Sequence, residues 1–321
     1  MTGPDQDRTR MVAVSVLLAA VLGATVWVGL RTGHVVIDGD GGVPVTAGPT
    51  VTPSAPPRSP PVSARATEST PSPHALLPVD PGVAGAFAEM AAELGGRYAL
   101  AWADADGVRL LGSPPGETAW STIKVPLAVA VAERSPTEET WQHVVAAITR
   151  SDNAAALELW SALGRPDAAA SAVDEVLDAY GAPEVRTESE DVRPPFSSFG
   201  QTRWSPPSQA RFARELACAG ASTPAGRVRG EMARLVPDQR WGIGVLEGAR
   251  LKGGWGPEPD GAYVLRQLGD GEVAGQRYAL ALSVRSASGA YAETTTEATR
   301  LVRWWAETVA PTGPGLTCAG A

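Results

Sequence analysis

Two hydrophobic periods alternate along the chain from about residue 80 onward. "DPGVAGAFAEMAAELGG" (80–96) has an Asp cap, a Pro and an apolar face spaced as in a helix, and it ends in Gly-Gly. "RYALAWAD" and "GVRLLGS" then read as a strand pair around the turn "DADG". Helical spacing returns at "STIKVPLAVAVAER", where Pro126 predicts a bent first turn. A helix with Ser135 as cap and Pro136 at its first position is expected to reach about Arg150. "SDNAAALELWSALG" and "RPDAAASAVDEVLDAYGAP" give two more helices. Residues 183–204 keep no period, and "SPPSQARFARELACAG" restores helix behind Ser205 and Pro206. "RLVPDQRWGIGVL" is irregular. Three strands, "ARLKGGW", "GAYVLRQLG" and "RYALALSVRS", and an amphipathic helix, "AETTTEATRLVRWWAETV", close the chain. This order predicts an α+β domain in which the N- and C-terminal parts build one five-stranded antiparallel sheet with flanking helices. The middle of the chain inserts an all-helical lobe.

The first 82 residues follow other rules. "MVAVSVLLAAVLGATVWVGL" (11–30) is 20 residues without a charge, enough to cross a bilayer as a transmembrane anchor, and the alternative is a cleaved signal segment. Arg8 and Arg10 before it and Arg31 after it favour a cytoplasmic N-terminus at 1–10. Residues 31–82 form a Pro-rich disordered linker holding 11 of the 28 prolines. The expected layout is tether, spacer and an extracytoplasmic domain at 83–321. Cys218 and Cys318, both in that exported part, are expected to form one disulfide.

Charge and composition narrow the chemistry. A net charge of −8 argues against nucleic acid as a partner. Three histidines and two cysteines are too few for a histidine–cysteine metal cage, so neither metal nor cofactor is expected. The only histidine in the domain, His143, lies on a helix face without a G-x-S-x-G elbow, which removes a Ser-His-Asp hydrolase.

Arginine supplies 25 of the 27 basic residues, and the two lysines are Lys124 and Lys252. Lysine can lose its proton when buried beside another positive charge, whereas arginine does not. Ser121 and Lys124, three residues apart, share one helix face, so hydroxyl and amine can meet there. A serine near a helix N-terminus also has backbone N–H groups available for an oxyanion. S-x-x-K at 121–124, S-D-N at 151–153 and Lys252-Gly253-Gly254, in that order, resemble the three motifs of the penicillin-recognising serine hydrolases, most nearly the class A β-lactamases.

The resemblance, which covers residues 83–309, implies a site. Ser121 would attack a carbonyl, with Lys124 acting as or assisting the base. Ser151 would pass a proton to the departing nitrogen, and Asn153 would hold a substrate amide and Lys124. Asp152 would buttress the loop. Lys252 would offer charge to a substrate carboxylate and lower the pKa of its neighbours, while Gly254 and Trp255 line the substrate strand. The N–H groups of Ser121 and Trp255 would form the oxyanion hole. Substrates would be β-lactams or peptidoglycan-derived amides, met by a monomer tethered to the membrane. Three departures qualify this expectation. Gly253 replaces the usual Thr or Ser; none of Glu184, Glu188, Glu190 and Asp191 stands in the deacylating pattern; and the stretch between STIK and SDN is short. A catalytically silent envelope-binding protein and an esterase or amidase of unrelated substrate are therefore the alternatives. Trp120 and Trp255 either fill the core or line the substrate groove.

Overall fold

The computed structural model describes residues 75–318. The expected anchor at 11–30 and all but the last residues of the linker lie outside them. No helix among the described residues is long and apolar enough to cross a membrane.

The sheet has the order β2-β1-β5-β4-β3, all neighbours antiparallel. β1 (Arg97–Ala103) and β2 (Val108–Gly112) come from the N-terminal part. β3 (Glu247–Pro257), β4 (Tyr263–Val273) and β5 (Gln276–Arg285) come from the C-terminal part, as the pattern predicts. Ala274 and Gly275 join β4 to β5 with φ of 51° and 76°, the handedness a tight hairpin needs. Period-2 alternation sorts the core into two layers. On β1 and β5, Leu100, Trp102, Tyr278, Leu280 and Leu282 face α1 (Pro81–Leu94) and α8 (Tyr291–Thr308). Ala101, Ala103, Ala279 and Ala281 face the helical lobe. Small side chains on that face let α6 (Pro206–Ala217) lie close on β1 and β5.

The lobe comprises α2 (Lys124–Arg134), α3 (Glu138–Thr149), α4 (Asn153–Ala162), α5 (Pro166–Ala179), α6 and α7 (Pro224–Met232). Two starts differ from the sequence reading. α3 begins behind Thr137 rather than Ser135, because Thr137 and Thr140 exchange side-chain and backbone hydrogen bonds as a closed capping box. α7 was not anticipated, although Thr223 and Pro224 repeat the cap-and-proline signal of Ser205 and Pro206. The cysteines pair as expected: Cys218, the C-cap of α6, bonds to Cys318 with Cα atoms 5.3 Å apart.

Candidate active site

The STIK segment does not begin as α-helix. Trp120–Ile123 is a turn of 3₁₀-helix that passes into α2 at Lys124, which is the bent entry Pro126 foretold. Trp120, just before the serine, has φ of 50°, a left-handed conformation that a bulky residue rarely takes. The turn holds this shape because it is clamped from both sides. From one side, the loop ahead of α6 is stitched on: Ala119 N donates to Thr202 O at 2.7 Å and Trp204 N to Glu117 O at 2.8 Å. From the other side comes β3. A Cβ on Gly254 would lie 2.7 Å from Ser121 N and 2.9 Å from Ala119 O, and one on Gly256 would lie 2.3 Å from the Trp120 ring. Only glycine lets the strand approach this near. β3 is also the sheet edge, so alternate amides along it face away from β4.

Arg266 on β4 completes the support. Its fully buried guanidinium donates to the carbonyls of Gly116, Thr118, Trp204 and Leu282 and to Gln209 Oε1. Gln209 in turn donates to Thr122 Oγ1 at 2.8 Å. Burial lowers the Arg266 pKa to about 10, which leaves it charged at neutral pH. The sequence reading missed Arg266. Its signal was a charge, next to Gln267, inside a run flanked by Val264, Leu265 and Leu268 on a strand expected to be buried.

The S-D-N residues form the turn between α3 and α4, as expected. Ser151 has φ of 59°, so its carbonyl and its hydroxyl address different lysines. Lys124 Nζ donates to Ser151 O at 2.7 Å, Asp152 O at 3.2 Å and Asn153 Oδ1 at 2.7 Å. Lys252 Nζ lies 2.9 Å from Ser151 Oγ and donates to Gly253 O at 2.7 Å. Asp152 caps α4 through Ala155 N at 2.9 Å, the buttress role expected of it.

One expectation needs correction. Ser121 Oγ is not among the hydrogen-bond partners of Lys124. The 3₁₀ geometry that starts the segment, and the three acceptors of the S-D-N turn, direct the amine towards Ser151 instead. Ser151 thus joins the two lysines, and Ser121 is half-buried on the turn that Gly254 covers.

Both amines are almost wholly buried, Lys124 at 2% and Lys252 at 0% exposure. Burial lowers Lys124 to about 8 against the opposing pull of Asp152. Burial, followed by the charge of Lys124, pushes Lys252 well below the usual lysine range. Among the described residues, no carboxylate side chain is hydrogen-bonded to either amine, to Ser121 or to Ser151. The loop carboxylates are engaged elsewhere or exposed: Glu184 pairs with Arg211, Glu188 Oε1 accepts from Glu190 N at 2.8 Å, and Asp191 faces solvent. Among the described residues no group of three or more His, Cys, Asp and Glu side chains is placed to hold a metal ion.

The tryptophans divide. Trp120 is buried against Gly256 and Phe196, with its ring 5.1 Å from that of Phe196. Trp255 is half-buried and packs on Tyr291 at 5.5 Å. Both are thus packing residues first. A Cβ on Gly253 would point at Trp241, 3.3 Å from its ring, on the sheet face away from Lys252.

Comparison with solved structures gives the class. The chain is similar to the chromosome-encoded β-lactamase of Vibrio parahaemolyticus at 12% identity, with TM-score 0.53, over 70% of this chain and 98% of that one. It is similar to a β-lactamase from Burkholderia vietnamiensis at 18% identity, with TM-score 0.50, over 70% and 96%. It is also similar to the last common ancestor of Gram-negative bacteria class A β-lactamase at 18% identity, with TM-score 0.50, over 70% and 99%. No family model matches the chain, and no curated protein matches it in sequence. The fold is therefore that of the class A β-lactamases.

Proposed function

We propose that this protein is an extracytoplasmic serine hydrolase, tethered to the membrane by residues 11–30, that forms an acyl-enzyme at Ser121 on a β-lactam or a peptidoglycan-type amide. The observation that carries the reading is the convergence of two buried lysines on Ser151, together with the clamping of the Ser121 turn under the glycines of the edge strand that carries Lys252. Such a site can move a proton from an attacking hydroxyl and return it to a departing nitrogen. The backbone N–H groups of Ser121 and Trp255 are the oxyanion donors in this reading. With no carboxylate joined to these groups, water lacks an evident base, so the acyl-enzyme is expected to form and persist.

Incubation of the protein with a labelled penicillin, followed by peptide mass spectrometry, is the test. A stable adduct on Ser121 that disappears in Ser121→Ala is expected, with little turnover of a chromogenic cephalosporin. The same absence of a base favours a second reading, a silent envelope-binding protein. Peptidoglycan binding retained by Ser121→Ala, with no adduct in the wild type, would establish that reading instead.

A further inference from the structure

We infer that Lys252, acting through Ser151, is the amine that receives the proton of Ser121, and that Lys124 is the partner that stays charged at neutral pH. The inference deepens the proposed acyl-enzyme reading and rests on it for the identity of the nucleophile.

Hydrogen-bond inventory separates the two amines. An ammonium has three N–H donors and no lone pair, whereas a neutral amine has two donors and one acceptor site. Lys124 Nζ faces three acceptors, and two of them are backbone carbonyls, which can only accept. All three donors of a charged Lys124 are used, and no lone pair remains to take a proton from Ser121. Lys252 has two partners. Gly253 O can only accept, but Ser151 Oγ can donate, which leaves the Lys252 lone pair directed at the Ser151 hydroxyl.

The surroundings favour the same division. Lys252 is the more deeply buried amine, and both amines meet Ser151, Lys252 at its hydroxyl and Lys124 at its carbonyl. Two ammonium groups buried together with no carboxylate hydrogen-bonded to either repel each other, so one of them loses its proton. Lys124 keeps the compensating groups, two carbonyl dipoles and the nearby Asp152 charge. The charged groups on elements packed against β3 are engaged elsewhere. Asp270 on β4 pairs with Arg229 of α7 and with Arg277, Glu231 of α7 pairs with Arg234, and Arg266 is spent on carbonyls.

The proton steps balance. As Ser121 Oγ bonds to the substrate carbonyl carbon, its proton passes to Ser151 Oγ, and the Ser151 proton passes to Lys252 Nζ. The carbonyl π pair moves onto oxygen. When the oxyanion pair re-forms the C=O bond, the C–N bond breaks with its electron pair on nitrogen, the Lys252 proton returns through Ser151 to that nitrogen, and Lys252 is neutral again. Ser121 Oγ has no side-chain partner among the described residues, and contacts of this kind commonly tighten only when substrate is bound.

Because the chain has two lysines, the assignment can be read directly. Protein labelled with ε-¹³C lysine shows two side-chain signals, and any one folded variant of Lys124→Arg, Lys124→Met, Lys252→Arg or Lys252→Met identifies both. Lys252 is expected to titrate at lower pH than Lys124. A Lys124 signal that titrates first overturns the inference. A kinetic measurement gives the second arm: Lys252→Arg, which keeps the charge but cannot accept a proton, should slow acylation by a labelled penicillin at least about 100-fold. Its affinity for the penicillin should hold. Acylation by Lys252→Arg at the wild-type rate also overturns the inference. If Lys252 titrates first but no acylation occurs in the wild type, the proton assignment stands and the proposed function fails.

Discussion

The β3–β4 pair buries a charged or chargeable side chain at two places and treats them in opposite ways. At the Arg250–Asp270 register, Asp270 is 2% exposed and accepts from Arg229 at 2.9 and 2.6 Å and from Arg277 at 2.6 Å. Two residues further along β3, Lys252 is fully buried opposite Leu268, with only a hydroxyl and a carbonyl as partners. The first place matches charge with charge and fastens α7 to the sheet. The second leaves charge unmatched, which holds an amine ready to give up its proton at the cost of some stability. Arg266 falls between them: it has no carboxylate either, yet five acceptors and a guanidinium keep it a structural cation.

Removing the matched acid should have the largest effect. Asp270→Ala leaves the Arg229 and Arg277 guanidiniums facing each other without their shared acceptor. Breaking a buried pair in this way costs about 3–5 kcal/mol, and the partial exposure of Arg229 and Arg277, 14% and 27%, points to the lower end. Urea unfolding at pH 7 measures it, and a loss below about 1 kcal/mol would mean that the cluster is mere surface decoration.

Next in size is the clamp on the Ser121 turn. Gly254→Ala sets a methyl group 2.7 Å from Ser121 N, against backbone that cannot rotate aside. The strand and the turn must separate by a fraction of an ångström to an ångström, and a shift of that size at a reacting centre costs about 100-fold in rate. Acylation by a labelled penicillin should fall by that factor, while stability changes less than in Asp270→Ala.

These residues mark how far the sequence could be read. The five strands, the inserted helical lobe and the S-D-N turn follow from period and punctuation, because alternation along a strand is a local property, whereas the strand order β2-β1-β5-β4-β3 is not. The lysines stood out by rarity among arginines. What local pattern does not carry is which acceptor a long side chain chooses. Three residues on a helix suggested a Ser121–Lys124 contact, but two carbonyls and an amide 27 to 29 residues away take the Lys124 amine. The support of the Ser121 turn by Arg266 and Gln209 is likewise long-range, spanning 57 residues between those two side chains.

The unmatched amine should show the opposite sign to Asp270. Lys252→Met removes a group whose charged form the fold disfavours, so the variant should be more stable than wild type at pH 7 by about 1–3 kcal/mol, while losing acylation. The sign of the pH dependence follows from linkage. Lys252 and Lys124 have folded pKa values below their unfolded value of about 10.4, so the unfolded chain binds more protons between those limits, and wild-type stability rises with pH through them. For Lys124 the window runs from about 8 up to the unfolded value. The advantage of Lys252→Met should therefore shrink as pH rises towards 10.4, which thermal unfolding at several pH values can follow. An advantage that grows with pH would show that Lys252 is charged in the folded protein.

Gly253→Thr should have the smallest effect, and it tests whether the missing motif hydroxyl matters. A Cβ here meets the Trp241 ring at 3.3 Å and the Trp255 ring at 3.7 Å, tight but against side chains that can yield by a few tenths of an ångström. The methyl and hydroxyl would enter the aromatic face of β3, whereas Lys252 and Gly254 face the lobe. A cost of about 1 kcal/mol or less in stability is expected, since the added group overpacks a half-buried aromatic cluster without breaking a hydrogen bond. Acylation should stay within about threefold of wild type, because no proton-carrying group moves; threefold corresponds to roughly 0.7 kcal/mol. Measured by the same urea and penicillin assays, a tenfold gain in acylation would instead place position 253 at the substrate, and would mean that the Trp241 ring turns away to admit it.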